Sequence, residues 1–144
     1  MTLSAYLRAG VVLAAALLAT IACGGGPDTG TSSSSTLNCA AVAGLAGQVN
    51  DKGTAVLAAT GTVTVDDLYF SPTCLTGASG TVTLTLHNRG HLLHNFSVPE
   101  QNIDVDIPPG DTVTVKVAVA GKPVHFFCKY HRDAGQQGAL LPLA

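Results

Sequence analysis

Thr81-Val82-Thr83-Leu84-Thr85-Leu86-His87 alternates apolar and polar residues without a break. Successive side chains of a strand point to opposite faces of a sheet, so Val82, Leu84 and Leu86 share one face and Thr81, Thr83, Thr85 and His87 the other. β-branched threonine suits the wet face, and the stretch reads as a half-buried strand. Downstream, Asn88-Arg89-Gly90 is a turn, 94–98 a short strand, 103–107 an alternating one, and Pro108-Pro109-Gly110-Asp111 a further turn. Residues 112–119 alternate again, 122–128 are apolar enough for a buried strand, and 138–143 would close the sheet with Ala139 and Leu141 inward. Upstream, 62–70 carries Val63, Val65, Leu68 and Phe70, with the spacing broken at Asp66-Asp67; this predicts a bulge or bend within one strand, ended by Ser71-Pro72. Short strands separated by Gly/Pro/Asp turns predict an all-β sandwich or barrel.

The totals agree. A chain of 144 residues has room for one domain and a leader. With 11% charged residues, 5% aromatics and sixteen glycines beside many Val and Thr, it lacks the Glu, Lys and Leu of a helical protein. Residues 37–50 are Ala-rich and weakly periodic, fitting either one short helix or an irregular arm before the turn-like Asn50-Asp51-Lys52-Gly53.

The N-terminus has the order of an export signal: Arg8, an apolar run over 9–19, then small residues to Ala22. The run is short for a membrane span. Thr20-Ile21-Ala22-Cys23 resembles a bacterial lipobox, with Thr20 where that pattern prefers Leu; the resemblance implies a signal peptide over 1–22 and a lipid on Cys23. Residues 24–36 (GGGPDTGTSSSST) have the composition of a flexible tether. Together these predict an exported bacterial lipoprotein anchored to the extracytoplasmic side of the membrane, with the folded domain over 37–144 and its core over 61–144. Without residues 1–22, six basic residues face nine acidic ones, a formal net charge of −3, which argues against nucleic acid as a partner.

Four cysteines in an exported chain allow three pairings into two disulfides. Cys23 sits at the lipobox and Cys128 beside histidines, so Cys39 and Cys74 pair most economically with each other, which would pin the 37–50 arm to the sandwich. Cys128-Lys129-Tyr130-His131 is the strongest local motif, because a soft thiolate and an imidazole on one loop can hold one ion together. His94, followed by Asn95-Phe96, lies upstream, and Gly135-Gln136-Gln137-Gly138 follows the motif.

With these residues the sequence resembles the cupredoxins, the small blue copper proteins of the plastocyanin and amicyanin type, over about residues 62–143. The resemblance implies a Greek-key β-sandwich of about seven to eight strands and one copper ion held by His94, Cys128 and His131. It places Gln136 where the family commonly has an axial methionine. The only methionine is Met1, so no thioether ligand survives removal of the leader, and a glutamine amide oxygen takes that place as in the stellacyanins. Gln137 is the neighbouring alternative. Asn95 is expected to orient the cysteine loop without touching the metal. His87, His91 and His125 are read as solvated residues.

The function this implies is one-electron transfer between Cu(I) and Cu(II), with His131 nearest a redox partner that is itself membrane-associated, and the domain a monomer. A different class, copper scavenging, storage or delivery from the same ligands, is the alternative. A third is a scaffold that has lost its metal. The sequence shows no Ser/His/Asp arrangement and no phosphate-cradling glycine loop, so an enzyme is not expected.

Overall fold

The computed structural model describes residues 38–143. Ten strands form two sheets: β1 (Thr54–Val56), β2 (Thr60–Asp66), β3 (Tyr69–Ser71), β4 (Cys74–Ala78), β5 (Gly80–Asn88), β6 (His94–Val98), β7 (Ile103–Ile107), β8 (Thr112–Val119), β9 (Val124–Phe127) and β10 (Gln137–Pro142). One sheet runs β1-β4-β10-β9-β6-β7 and the other β3-β2-β5-β8. The alternating stretch around Leu84 is β5, the spine of the smaller sheet. It pairs antiparallel with β8 over Gly80–His87 and parallel with β2 over Thr83–Asn88.

Val82, Leu84 and Leu86 all point inward and are fully buried, as are Val63 and Val65 of β2 and Val117 of β8. The larger sheet answers with Phe96, Val98, Phe126 and Leu140. Phe70 meets Phe126 edge-on at 5.1 Å between centroids, and Phe126 stacks on Phe96 at 4.9 Å. Aromatic pairs of this kind add about 0.5–1.5 kcal/mol each beyond the area they bury.

Three expectations are corrected. Asp66-Asp67 is not a bulge within one strand: the chain reverses there, and β2 and β3 pair antiparallel with Asp66 opposite Tyr69. Leu68 makes the turn tight by taking a left-handed conformation, φ 71°, which side chains other than Gly, Asn and Asp seldom adopt. The strand count is ten, not seven to eight, because β1, β3 and β4 are only three to five residues long. In β10 it is Leu140 that enters the sandwich, while Ala139 and Leu141 pack on the other face with Cys39, Ala43 and Cys74. A central strand covered on both faces shows a continuous apolar run and gives no parity to read.

That second face is covered by the arm. Its helix α1 (Cys39–Ala43) is capped by the Asn38 side chain, which accepts the Ala40 N–H at 2.9 Å, and ends at Gly44 with φ 67°. The arm is thus a short helix and then irregular chain. Cys39 is disulfide-bonded to Cys74, with Cα atoms 5.6 Å apart. Beyond the helix, Gln137 donates through Nε2 to the carbonyls of Ala46 (2.8 Å) and Gln48 (2.6 Å), and Asn50 Nδ2 donates to those of Ala134 (2.8 Å) and Leu68 (2.7 Å). The signal peptide of 1–22, Cys23 and the 24–36 tether lie outside the described residues, among which no helix is long and apolar enough to cross a membrane.

Candidate metal centre

Three neighbouring strands of the larger sheet, in the order β10-β9-β6, bring the candidate ligands to one end of the sandwich. His94 is the first residue of β6, Cys128 directly follows β9, and Gln136 directly precedes β10; the Lys122–Cys128 stretch expected as strand therefore pairs only over Val124–Phe127. Between Cys128 and Gln136 the loop tightens: His131 N–H donates to the Cys128 carbonyl (3.1 Å), Gln136 N–H to the His131 carbonyl (3.1 Å), and Cys128 N–H to the Gln136 carbonyl (3.0 Å). These three bonds tie the ligand loop to itself.

The ligand atoms of His94, Cys128 and His131 all lie within 4.8 Å of one another, the only such group of metal-ligating side chains among the described residues. His94, Cys128 and Gln136 are fully buried and His131 is half-buried. Cys128 Sγ is 3.4 Å from His131 Nδ1. Gln136 Oε1 is 2.9 Å from His94 Nδ1 and 3.1 Å from His131 Nδ1. The amide is held in that sense from behind, because its Nε2 donates to the carbonyls of Asp66 (3.0 Å) and Tyr69 (3.3 Å). The β2–β3 turn of the other sheet thus fixes the orientation of Gln136.

A neutral imidazole has one N–H to give. His94 faces an acceptor at each nitrogen: Gln136 Oε1 at Nδ1, and Asp67 Oδ1 3.4 Å from Nε2. With the proton toward the carboxylate, His94 Nδ1, Gln136 Oε1 and the Cys128 sulfur converge as acceptors, and His131 Nδ1 adjoins them. An enclosed convergence of lone pairs is satisfied by a cation. Two imidazoles, a thiolate and an amide oxygen are a set of donors that suits copper in both oxidation states.

Electrostatics point the same way at Cys128. Burial pushes its thiol up, against N–H bonds from Tyr130, Asn95 and His131, so its thiolate form calls for a nearby positive charge. Asp67 behaves oppositely. Partial burial raises it, but the His91 N–H and ring, the Leu92 N–H and the His94 ring outweigh that and bring it to about 2.

The profile of the cupredoxin-like domain matches residues 39–141. The chain belongs to the cupredoxin-like family. No curated protein matches this chain. Among solved structures, the metal-binding domain of the Cu(I)-exporting P-type ATPase CopA of Streptococcus pneumoniae D39, determined with Cu(I), is similar at a TM-score of 0.54 and 11% identity, over 65% of this chain and 97% of that one. Dithionite-reduced auracyanin from the photosynthetic bacterium Roseiflexus castenholzii is similar at 0.50 and 16%, over 60% and 98%. At such identities the likeness is one of fold.

Within this cupredoxin-like domain the remaining expectations find their places. Gln137 points away from the centre, to the arm. Asn95 lies buried beside the cysteine loop: its Nδ2 donates to Asp104 (2.7 Å) and Asp106 (2.8 Å), and its Oδ1 accepts from Ser97 Oγ and, at 3.5 Å, from the Lys129 N–H. His87 bonds Thr112 Oγ1 (2.7 Å) and His125 bonds the Ala43 carbonyl (2.6 Å), both away from the centre. His91 is exposed and touches only Asp67 through its ring.

Sequence reasoning missed Asp67, Asp104 and Asp106. Lys129 Nζ meets Asp104 at 2.8 Å and Asp106 at 3.0 Å, and Tyr130 OH donates to Asp106 at 2.9 Å, so two residues of the cysteine loop are clamped onto β7. The alternation Ile103-Asp104-Val105-Asp106-Ile107 put both carboxylates on one face, and Lys129 and Tyr130 were the partners to look for.

Proposed function

We propose that this domain is a mononuclear type 1 copper protein that carries single electrons at the outer face of a bacterial membrane, with His94, Cys128 and His131 as ligands and Gln136 Oε1 as axial donor. The observation that carries the reading is the buried convergence of the Cys128 sulfur, Gln136 Oε1 and the His94 and His131 imidazoles, with the Gln136 amide held from behind by the Asp66 and Tyr69 carbonyls. Copper bound there would supply a one-electron couple between Cu(I) and Cu(II).

The chain's own residues supply rigidity. Asp66 and Tyr69 hold the Gln136 amide, the Asn95 and Lys129 bonds hold the cysteine loop on β7, and the backbone bonds between Cys128, His131 and Gln136 hold the ligand loop. A site that cannot relax keeps the same geometry in both oxidation states, which favours fast electron exchange. His131 is the ligand whose ring reaches the surface, and this supports an electron path through its edge. The leader, Cys23 and the 24–36 tether support the membrane-anchored location.

Adding Cu(II) to the purified domain should give an intense visible thiolate-to-copper band, abolished in Cys128→Ser. A colourless adduct would overturn the reading. Cys23→Ser should move the protein from the membrane fraction to the soluble one.

A further inference from the structure

We propose that Asp67 is the positioning residue of this centre: its carboxylate holds the His94 ring by Nε2, keeps Nδ1 free toward the other ligands, and by its charge favours the more highly charged metal ion. The inference rests on the copper reading above.

Asp67 comes from the opposite sheet. It sits on the β2–β3 turn, and its two oxygens gather the segment that delivers His94. Oδ1 accepts the N–H of His91 (2.9 Å) and of Leu92 (3.3 Å) and lies 3.4 Å from His94 Nε2, while Oδ2 is 3.2 Å from His91 Nδ1. One carboxylate therefore fixes both the backbone before β6 and the ring of its first residue.

Two further features are arranged around this contact. Gly90 has room for no side chain: a Cβ there would overlap Asp67 Oδ1 and stand 2.9 Å from the Asp67 nitrogen and 3.1 Å from His94 Nε2. The glycine lets the carboxylate reach the ring. Leu68, next to Asp67, is held at φ 71° with its carbonyl taken by Asn50 Nδ2 at 2.7 Å, so the turn that presents Asp67 is bonded to the arm. The neighbouring Asp66 carboxylate does not compete, since it accepts from Tyr69 OH (2.9 Å) and the Asp67 N–H (2.7 Å).

Histidines that bind metals usually give their other N–H to such a partner, which fixes the tautomer and raises ligand basicity; removing the partner commonly costs 10–100-fold in metal affinity. A carboxylate does this with a negative charge, which a dipositive ion feels more than a monopositive one.

The first test needs no metal. Nitrogen-15 spectra of the apo-protein imidazoles should show His94 as the Nε2–H tautomer in the wild type and in Asp67→Asn, which keeps an acceptor oxygen, with the preference lost in Asp67→Ala. The second uses copper alone. Asp67→Ala should weaken Cu(II) binding about 10–100-fold. Both variants should lower the ratio of Cu(II) to Cu(I) affinity, seen as a raised reduction potential. Asp133→Asn, which removes the same charge from the exposed turn after His131, should shift that ratio less than Asp67→Asn. Asp67→Asn is isosteric and keeps the test open should Asp67→Ala fail to fold. The inference is overturned if wild-type His94 carries its proton on Nδ1, or if Asp67→Asn shifts the ratio no more than Asp133→Asn. If copper does not bind at all, the function falls, while the tautomer measurement still decides whether Asp67 orients the ring.

Discussion

Gln136 and Gln137, adjacent at the start of β10, send their amides to opposite sides of the sheet: Gln136 Oε1 lies 2.9 Å from His94 Nδ1, whereas Gln137 Nε2 binds the Ala46 and Gln48 carbonyls. Alternation along the extended chain makes the choice, so only Gln136 reaches the two histidines. Gln136→Met should raise the reduction potential, because an amide oxygen is a harder donor than a thioether and favours Cu(II). Redox titration of both forms checks this, and an unchanged or lowered potential would count against Gln136 as a ligand. Gln137→Ala should leave the potential in place and lower stability by about 1–3 kcal/mol, since two carbonyls of the arm lose their donor.

Stability and site separate at the disulfide. Cys39 and Cys74 close a loop of 35 residues, and chain-entropy reasoning assigns such a link about 3–4 kcal/mol. Cys39→Ser with Cys74→Ser should therefore shift urea unfolding by that amount. The optical spectrum of the copper form should survive, because neither residue touches the centre. Loss of the band at unchanged stability would contradict this division.

Gly138 is a packing constraint two residues beyond Gln136. A Cβ there would stand 2.6 Å from the Phe126 ring and overlap the Thr73 carbonyl, both in the buried interior. Gly138→Ala should cost about 1–3 kcal/mol by overpacking. Phe126 belongs to β9, which leads into Cys128, so the copper band should also move.

These residues show how unevenly the sequence discloses the molecule. The spine strand was legible because β5 buries one face only, and the thiolate–imidazole loop because Cys128 and His131 sit together. β10 was misread because both of its faces are covered, leaving no alternation between Ala139, Leu140 and Leu141. The reversal at Asp66-Asp67 was misread because a left-handed leucine, not a glycine, makes the turn. Asp67 was invisible as a partner of His94 since the two are 27 residues apart and on different sheets. Local pattern finds ligands that share a loop; it does not find the groups that orient them across the sandwich.

Acid should release the clamp on the cysteine loop. Bonds from Lys129 and Asn95 hold the Asp104 carboxyl below its usual 3.8, and bonds from Asn95, Lys129 and Tyr130 hold that of Asp106 below it. A carboxyl whose folded value is depressed stabilises the fold fully above its unfolded value and loses that contribution as the pH falls through the folded one. The window is thus acidic, opening near pH 4 and extending below it. Lys129 has the opposite sign: Asp104 and Asp106 raise its ammonium, so its share persists below the ordinary 10.5 and is lost only in strong alkali. All three side chains are more than a third exposed, so the energies are modest and screened by salt. Urea midpoints at pH 7 and pH 3 should fall further for the wild type than for Asp104→Asn with Asp106→Asn, and added salt at pH 7 should narrow the gap between the two proteins. Equal acid losses in both would show that the clamp adds nothing to folding.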